Sequence, residues 1–153
     1  MTEPWLPSTA SMEGGATLLD QLTSHCPPYG AALVEVLDAI WAQDVIDTPT
    51  LELCRLRIGQ LLGGAPEPVR VDPSLASALR HWPTDDRFDH RLRTILGYAE
   101  QLLFDAQELG DEQVQLVIDV IGEEGFLVLT YACGVFETTQ RAELVLGIGR
   151  KAS

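Results

Sequence analysis

The chain has 153 residues, 46% of them apolar, enough for one self-sufficient hydrophobic core. Twenty-three acidic residues stand against ten basic ones, a net charge of −13 that repels phosphate backbones and anionic lipid. Nucleic-acid binding and membrane-surface binding are therefore not expected, and the scattered acids read as a solvated surface.

Residues 1–14, "MTEPWLPSTASMEG", are rich in Pro, Ser, Thr and Gly and read as a flexible tail. With no basic start and no apolar stretch, the N-terminus is not expected to be a signal peptide. A short helix is expected over Ala16–His25, stopped by Pro27-Pro28. Leu33, Val34, Leu37, Ile40 and Trp41 recur at helical spacing and predict a second helix over Gly30–Gln43. "DTPT" signals a third, with Thr48 as cap and Pro49 at the first helical position. That helix carries an apolar stripe of Leu51, Cys54, Ile58, Leu61 and Leu62, widened by Leu53 and Leu56, and ends at Gly63-Gly64.

Asp72 and Pro73 repeat the start signal for a short helix reaching His81, and "WPTDDRF" is a turn. A long amphipathic helix follows over Asp89–Gln107, with Leu92, Ile95, Leu96, Ala99, Leu102, Leu103 and Ala106 on one face. Asp111 opens a helix over Glu112–Ile121, "GEEG" breaks it, and a last helix covers Glu124–Leu146. The longest apolar run, Gly125–Phe136, is too short to span a bilayer and reads as a buried helix. No segment alternates with period two. The expectation is a single all-α domain of six to eight helices over residues 15–150.

Cys26, Cys54 and Cys133 are odd in number and widely spaced, which predicts free thiols and a cytoplasmic location. They form no zinc-ligand spacing with His25, His81 and His90, so no metal is expected, and no cofactor motif occurs. "GIG" at Gly147–Gly149 follows no strand and is not a dinucleotide loop. Tyr98, Tyr131 and Trp41 sit at core spacing and read as packing residues. Trp82, on its Pro-containing turn, could contact an oligomer partner or cover a pocket; loop packing is the simpler reading.

Three blocks, "LELCRLRIGQLLGG", "RTILGYAEQLLFDAQELGDEQVQLV" and "GFLVLTYACGVFETTQRAELVLGIG", resemble in order and spacing the alkylhydroperoxidase D-like (AhpD-like), or carboxymuconolactone decarboxylase-like, family. The resemblance covers Gly30–Gly149. It implies an AhpD-like helical bundle that assembles as a homo-oligomer, trimer or hexamer. The family's peroxidases carry CxxC, a histidine four residues later and a glutamate twelve residues before. One thiolate attacks peroxide, the other cysteine resolves the sulfenate, and the Glu/His pair relays protons. The cysteine positions here are Gly64 and Glu67, the histidine position is Val71, and only the glutamate matches, at Glu52. A CxxC-type peroxidase is thus disfavoured, and lactone decarboxylation carries over poorly without a matching histidine.

Glu52 is the candidate catalytic residue, a general base if apolar neighbours raise its pKa. The plainer reading is a helix glutamate paired with Arg55. Cys54 and Cys133 read as small core hydrophobes, nucleophilic only if a base such as His81 or His90 stood close. The leading expectation is a non-redox oligomer that is structural or binds a small apolar ligand. The alternatives are an acid–base enzyme, decarboxylase- or isomerase-like, using Glu52, and residual peroxidase activity through Cys54 or Cys133.

Overall fold

The computed structural model describes residues 17–148, and these contain six α-helices and no strand. The fold is all-α. The expected tail, the start at Ala16 and the end at residue 150 lie outside the described residues. By internal contacts the chain divides into two units, residues 1–42 with 138–153, and residues 43–137.

The first unit holds α1 (Leu18–His25) and α2 (Pro27–Ala42), which pack on each other. Thr17 caps α1 through a capping box: its hydroxyl accepts from the Asp20 N–H while the Asp20 carboxylate accepts from the Thr17 N–H. The expected start of α2 at Gly30 is corrected to Pro27. The two prolines lie in the first turn, where no intrahelical partner awaits an N–H, and the Cys26 carbonyl accepts from Tyr29 and Gly30. Pro27-Pro28 therefore begins a helix as well as ending one.

The second unit is organised around α3 (Thr48–Leu61). Its cap is Asp47, one residue before the expected Thr48; the Asp47 carboxylate accepts from the Thr50 N–H at 3.1 Å, and Pro49 sits within the first turn. Five consecutive residues, Thr50 to Cys54, are buried, and Leu56, Ile58 and Gly59 continue the burial. This helix is covered nearly all round, so its polar side chains must find partners inside the protein. It ends in a Schellman arrangement: Gly63 N–H donates to the Gln60 carbonyl and Gly64 N–H to the Gly59 carbonyl at 2.8 Å. Gly63 has φ +84°, the left-handed conformation that the first of the two glycines supplies.

A short helix, α4 (Pro73–Ala78), is capped by Asp72 and runs into a 3₁₀ turn at Leu79–His81. The next helix, α5 (His90–Asp105), starts on the Asp89 cap. Its buried face is Ile95, Leu96, Tyr98 and Ala99; Ala106, expected on that face, is exposed in the 3₁₀ turn that follows. Two helical segments then make α6 (Asp111–Leu146), broken at Gly122 with φ +76° and ψ 172°. The break falls where "GEEG" predicts it, because that backbone pair is open to glycine alone.

On α6 the buried residues Leu129, Ala132, Cys133 and Phe136 define one face. Tyr131 is 67% exposed, which corrects its expected packing role. Two residues from both Leu129 and Cys133, it points to the opposite side of the helix. Leu127, one turn earlier on the same outer side, is 68% exposed. Among the described residues no helix is long and apolar enough to cross a membrane.

Candidate functional site

Glu52 lies in the second turn of α3 with its side chain fully buried (0% exposed). An isolated carboxylate in that position would be strongly disfavoured, so its environment is decisive. The Arg55 guanidinium, one turn along the helix, grips both oxygens: Nη2 donates to Oε1 at 2.7 Å and Nε to Oε2 at 2.9 Å. The backbone N–H of Val69 donates to Oε1 at 2.9 Å, and the Arg70 guanidinium stands 3.8 Å from Oε2. Arg55 also donates to the Glu67 carbonyl at 2.7 Å.

Burial is the largest single influence on the Glu52 carboxyl and works to raise its pKa. The Arg55 hydrogen bond, the Val69 N–H, the Arg55 charge and the Arg70 N–H together outweigh it, and the pKa is lowered. Glu52 is therefore an ionised carboxylate whose oxygens are engaged. Together, Glu52 and Arg55 pin the chain at Glu67, Val69 and Arg70 back against α3. These are the residues that follow the Gly-Gly turn, so the clamp fixes the loop after α3. Gly64 leaves little space: a Cβ there would stand 3.2 Å from the Gly59 carbonyl oxygen. Glu67 contributes its backbone carbonyl to the clamp.

A second polar cluster ties α3 to α5. Glu100 Oε1 accepts from Arg57 Nε at 2.6 Å and from the Trp82 indole N–H at 2.9 Å, while Arg57 Nη1 donates to Gln60 Oε1 at 3.2 Å. Trp82 is buried and serves packing, with its ring 3.7 Å from where a Cβ on Gly97 would lie. A third contact joins the starts of the same helices. Arg91 Nη2 pairs with Asp47 at 3.1 Å and Nη1 donates to the Thr50 hydroxyl at 3.2 Å. Burial pushes the Asp47 carboxyl up, but its bonds to Thr50 and the Arg91 charge hold it below the usual range.

Cys54 and Cys133 are 0% and 2% exposed. The Cys54 thiol is pushed well up, first by the influence of the Cys133 thiol and then by burial. Asp47 and Arg91 are the ionic groups that act on it, and no histidine is among them. His81 and His90, the bases proposed from sequence, are exposed. Tyr98 bonds to the Thr130 hydroxyl at 2.7 Å. The Thr130 proton is committed to the Phe126 carbonyl, also at 2.7 Å, so Tyr98 is the donor. The Tyr98 and Phe126 rings pack with centroids 5.5 Å apart.

Among the described residues no group of three or more His, Cys, Asp or Glu stands together as metal ligands do. Sequence reasoning found the Glu52–Arg55 pair from its i,i+3 spacing but not the two further donors. Val69 and Arg70 lie in a loop with no periodicity to place them. Glu100 was also missed as a partner of Arg57 and Trp82, although "YAE" marked its segment. The chain matches no protein-family model and no curated protein at a significant level.

Proposed function

We propose that this chain is a non-redox protein similar to the alkylhydroperoxidase D-like family, an oligomeric scaffold that binds a small apolar ligand or acts structurally, without thiol peroxidase turnover. The observation that carries this reading is the state of Glu52. A proton-relay carboxylate must present a free oxygen and exchange its proton near neutral pH. Glu52 is instead ionised, doubly bonded to Arg55 and bonded to the Val69 N–H. It holds a loop that carries Gly64 and Glu67 where the peroxidases carry thiols.

Assembly as a trimer or hexamer belongs to the same reading. The exposed Leu127 and Tyr131, one helical turn apart, supply apolar surface that a neighbouring copy would cover. A cytoplasmic location fits the free cysteines.

Two measurements test the proposal. With an excess of a dithiol reductant, peroxide consumption by the wild type and by the Cys54→Ser, Cys133→Ser double variant is expected to stay at the same background level. Multi-angle light scattering at micromolar concentration is expected to give a mass above that of the chain. Sustained, Cys54-dependent turnover would replace this reading with residual peroxidase activity, and a clean monomer would count against the family assignment.

The second reading is acid–base chemistry of a decarboxylase or isomerase type with Glu52 as proton carrier. It draws on one observation, the complete burial of a carboxyl group whose pKa would rise once Arg55 moved away. A ligand that stabilises the wild type and is converted by it, but not by Glu52→Gln, would establish this second reading.

A further inference from the structure

The first segment of α6, residues 111–121, is lightly anchored. Among these residues Val117 alone is fully buried, whereas the second segment buries Leu129, Ala132, Cys133 and Phe136. Its side-chain hydrogen bond, from Gln115 Nε2 to Asp119 Oδ1 at 2.8 Å, stays inside the segment. No side-chain hydrogen bond or ion pair joins it to another described element. By contrast, the second segment is tied to α5 by the Tyr98–Thr130 bond and the Tyr98–Phe126 ring contact.

Both ends of this segment are glycines in open space. A Cβ on Gly110 or on Gly122 would meet no atom within 4 Å, and residues 104–108, which lead into the first joint, are exposed. At the second joint the two segments of α6 touch. A Cβ on Gly125 would stand 2.9 Å from the Ile121 Cβ and 3.1 Å from its Cγ1, so Ile121 is seated directly on the Gly125 backbone. In a continuous helix, Cβ atoms four residues apart stand about 5–6 Å from each other. The crowding at Gly125 therefore belongs to the bend that Gly122 makes, and Gly125 is the residue that gives Ile121 room in it.

From these observations we propose that residues 111–121 form a flap, hinged at Gly110 and Gly122, closed by the seating of Val117 and latched by Ile121 on Gly125, whose lifting uncovers the seat that Val117 fills. Lifting withdraws one fully buried side chain and breaks no side-chain bond to another described element. Global unfolding also exposes Ile95, Leu96, Leu129 and Phe136, so the flap opens at a much smaller cost in free energy. Lids are drawn from such weakly held segments, with a few backbone positions at their ends absorbing the torsional change. The motion needs neither a ligand nor a second copy of the chain, so it stands or falls independently of the proposed function.

Native-state hydrogen exchange of the full chain, read residue by residue at increasing urea below the unfolding transition, tests the proposal. Amides 115–121 are expected to exchange about a hundredfold or more faster than amides 129–136, with rates nearly independent of urea, while those of 129–136 climb with it. Tyr98→Phe removes a contact that persists when the flap lifts. It should speed amides 129–136 about fivefold and leave 115–121 unchanged. Gly125→Ala drives Ile121 off its seat and should speed amides 115–121 about tenfold or more. The wild-type and Tyr98→Phe readings do not depend on that variant folding. Equal rates and equal urea dependence in the two sets of amides overturn the proposal. So does a Tyr98→Phe variant that speeds both sets alike, or a folded Gly125→Ala variant whose amides 115–121 exchange as in the wild type.

Discussion

Glu52 and Val69, seventeen positions apart, are joined by a 2.9 Å hydrogen bond from the Val69 backbone N–H to the buried Glu52 carboxylate. The bond crosses the Gly-Gly turn at the end of α3, and the Arg55 contact to the Glu67 carbonyl lies beside it. A helix side chain thus determines the path of a loop that has no secondary structure of its own. The stability of that loop should track the charge state of one carboxylate.

Glu52→Ala leaves a partly buried Arg55 and the Val69 N–H without their shared acceptor. A loss of about 3–5 kcal/mol in urea unfolding is expected, since breaking a buried pair from one side strands the other charge. Glu52→Gln keeps shape and one acceptor and should cost about half as much. Hydrogen exchange at Val69 should accelerate in both variants before global unfolding. Unchanged protection at Val69 would show that the clamp does not hold the loop.

The pH dependence has a fixed sign. Glu52 and Asp47 both have folded pKa values below their ordinary ones. Each therefore contributes stability that is fully present above the unfolded pKa of about 4 and is lost as pH falls through the lower folded value. Urea midpoints should be flat from neutral pH to about 5 and then fall. In Glu52→Gln the acid slope should be shallower, because one of the linked protons is gone. An identical slope in both proteins would remove Glu52 from the acid transition.

Tyr98→Phe deletes the donor that Thr130 accepts, and Thr130→Val deletes the acceptor. Each should destabilise by about 1 kcal/mol. The double variant should cost less than the sum, giving a coupling of about 0.5 kcal/mol or more in a double-mutant cycle. Strict additivity would mean that the bond joining α5 to α6 contributes nothing.

Gly122→Ala places a side chain at φ +76° and ψ 172°. A loss of about 1–3 kcal/mol in chemical unfolding is expected, with little change in far-ultraviolet circular dichroism. An increase in stability would mean that α6 straightens when the glycine is removed.

Glu100→Gln weakens the acceptor shared by Arg57 and Trp82. Both charged groups are partly exposed, so the stability change should stay near 1 kcal/mol. The Trp82 indole environment should respond more clearly, as an altered near-ultraviolet circular dichroism signal. A spectrum identical to wild type would dissociate Trp82 from Glu100.

The helices were legible because their signals are local. The proline-marked starts at Pro49 and Pro73, the Gly63-Gly64 stop and the "GEEG" break each act within one turn of backbone, although the first cap is Asp47 and not the expected Thr48. Propensity and capping operate at that range, so the sequence by itself determined an all-α chain and most of its boundaries. It also excluded the CxxC thiol motif, because the residue types needed for that chemistry are simply not at those positions.

Tertiary structure decided what periodicity leaves open. Tyr131 and Tyr98 sit in similar apolar runs, yet one is exposed and the other buried, because only the packing of neighbouring helices selects which face is covered. The Glu52–Arg55 pair follows from spacing on one helix. Its third and fourth partners come from a loop whose return path depends on the Schellman turn at Gly63 and on the clamp itself. Local sequence sets backbone torsions over a few residues, whereas a contact between distant residues depends on the sum of many such torsions and on the core that closes around them.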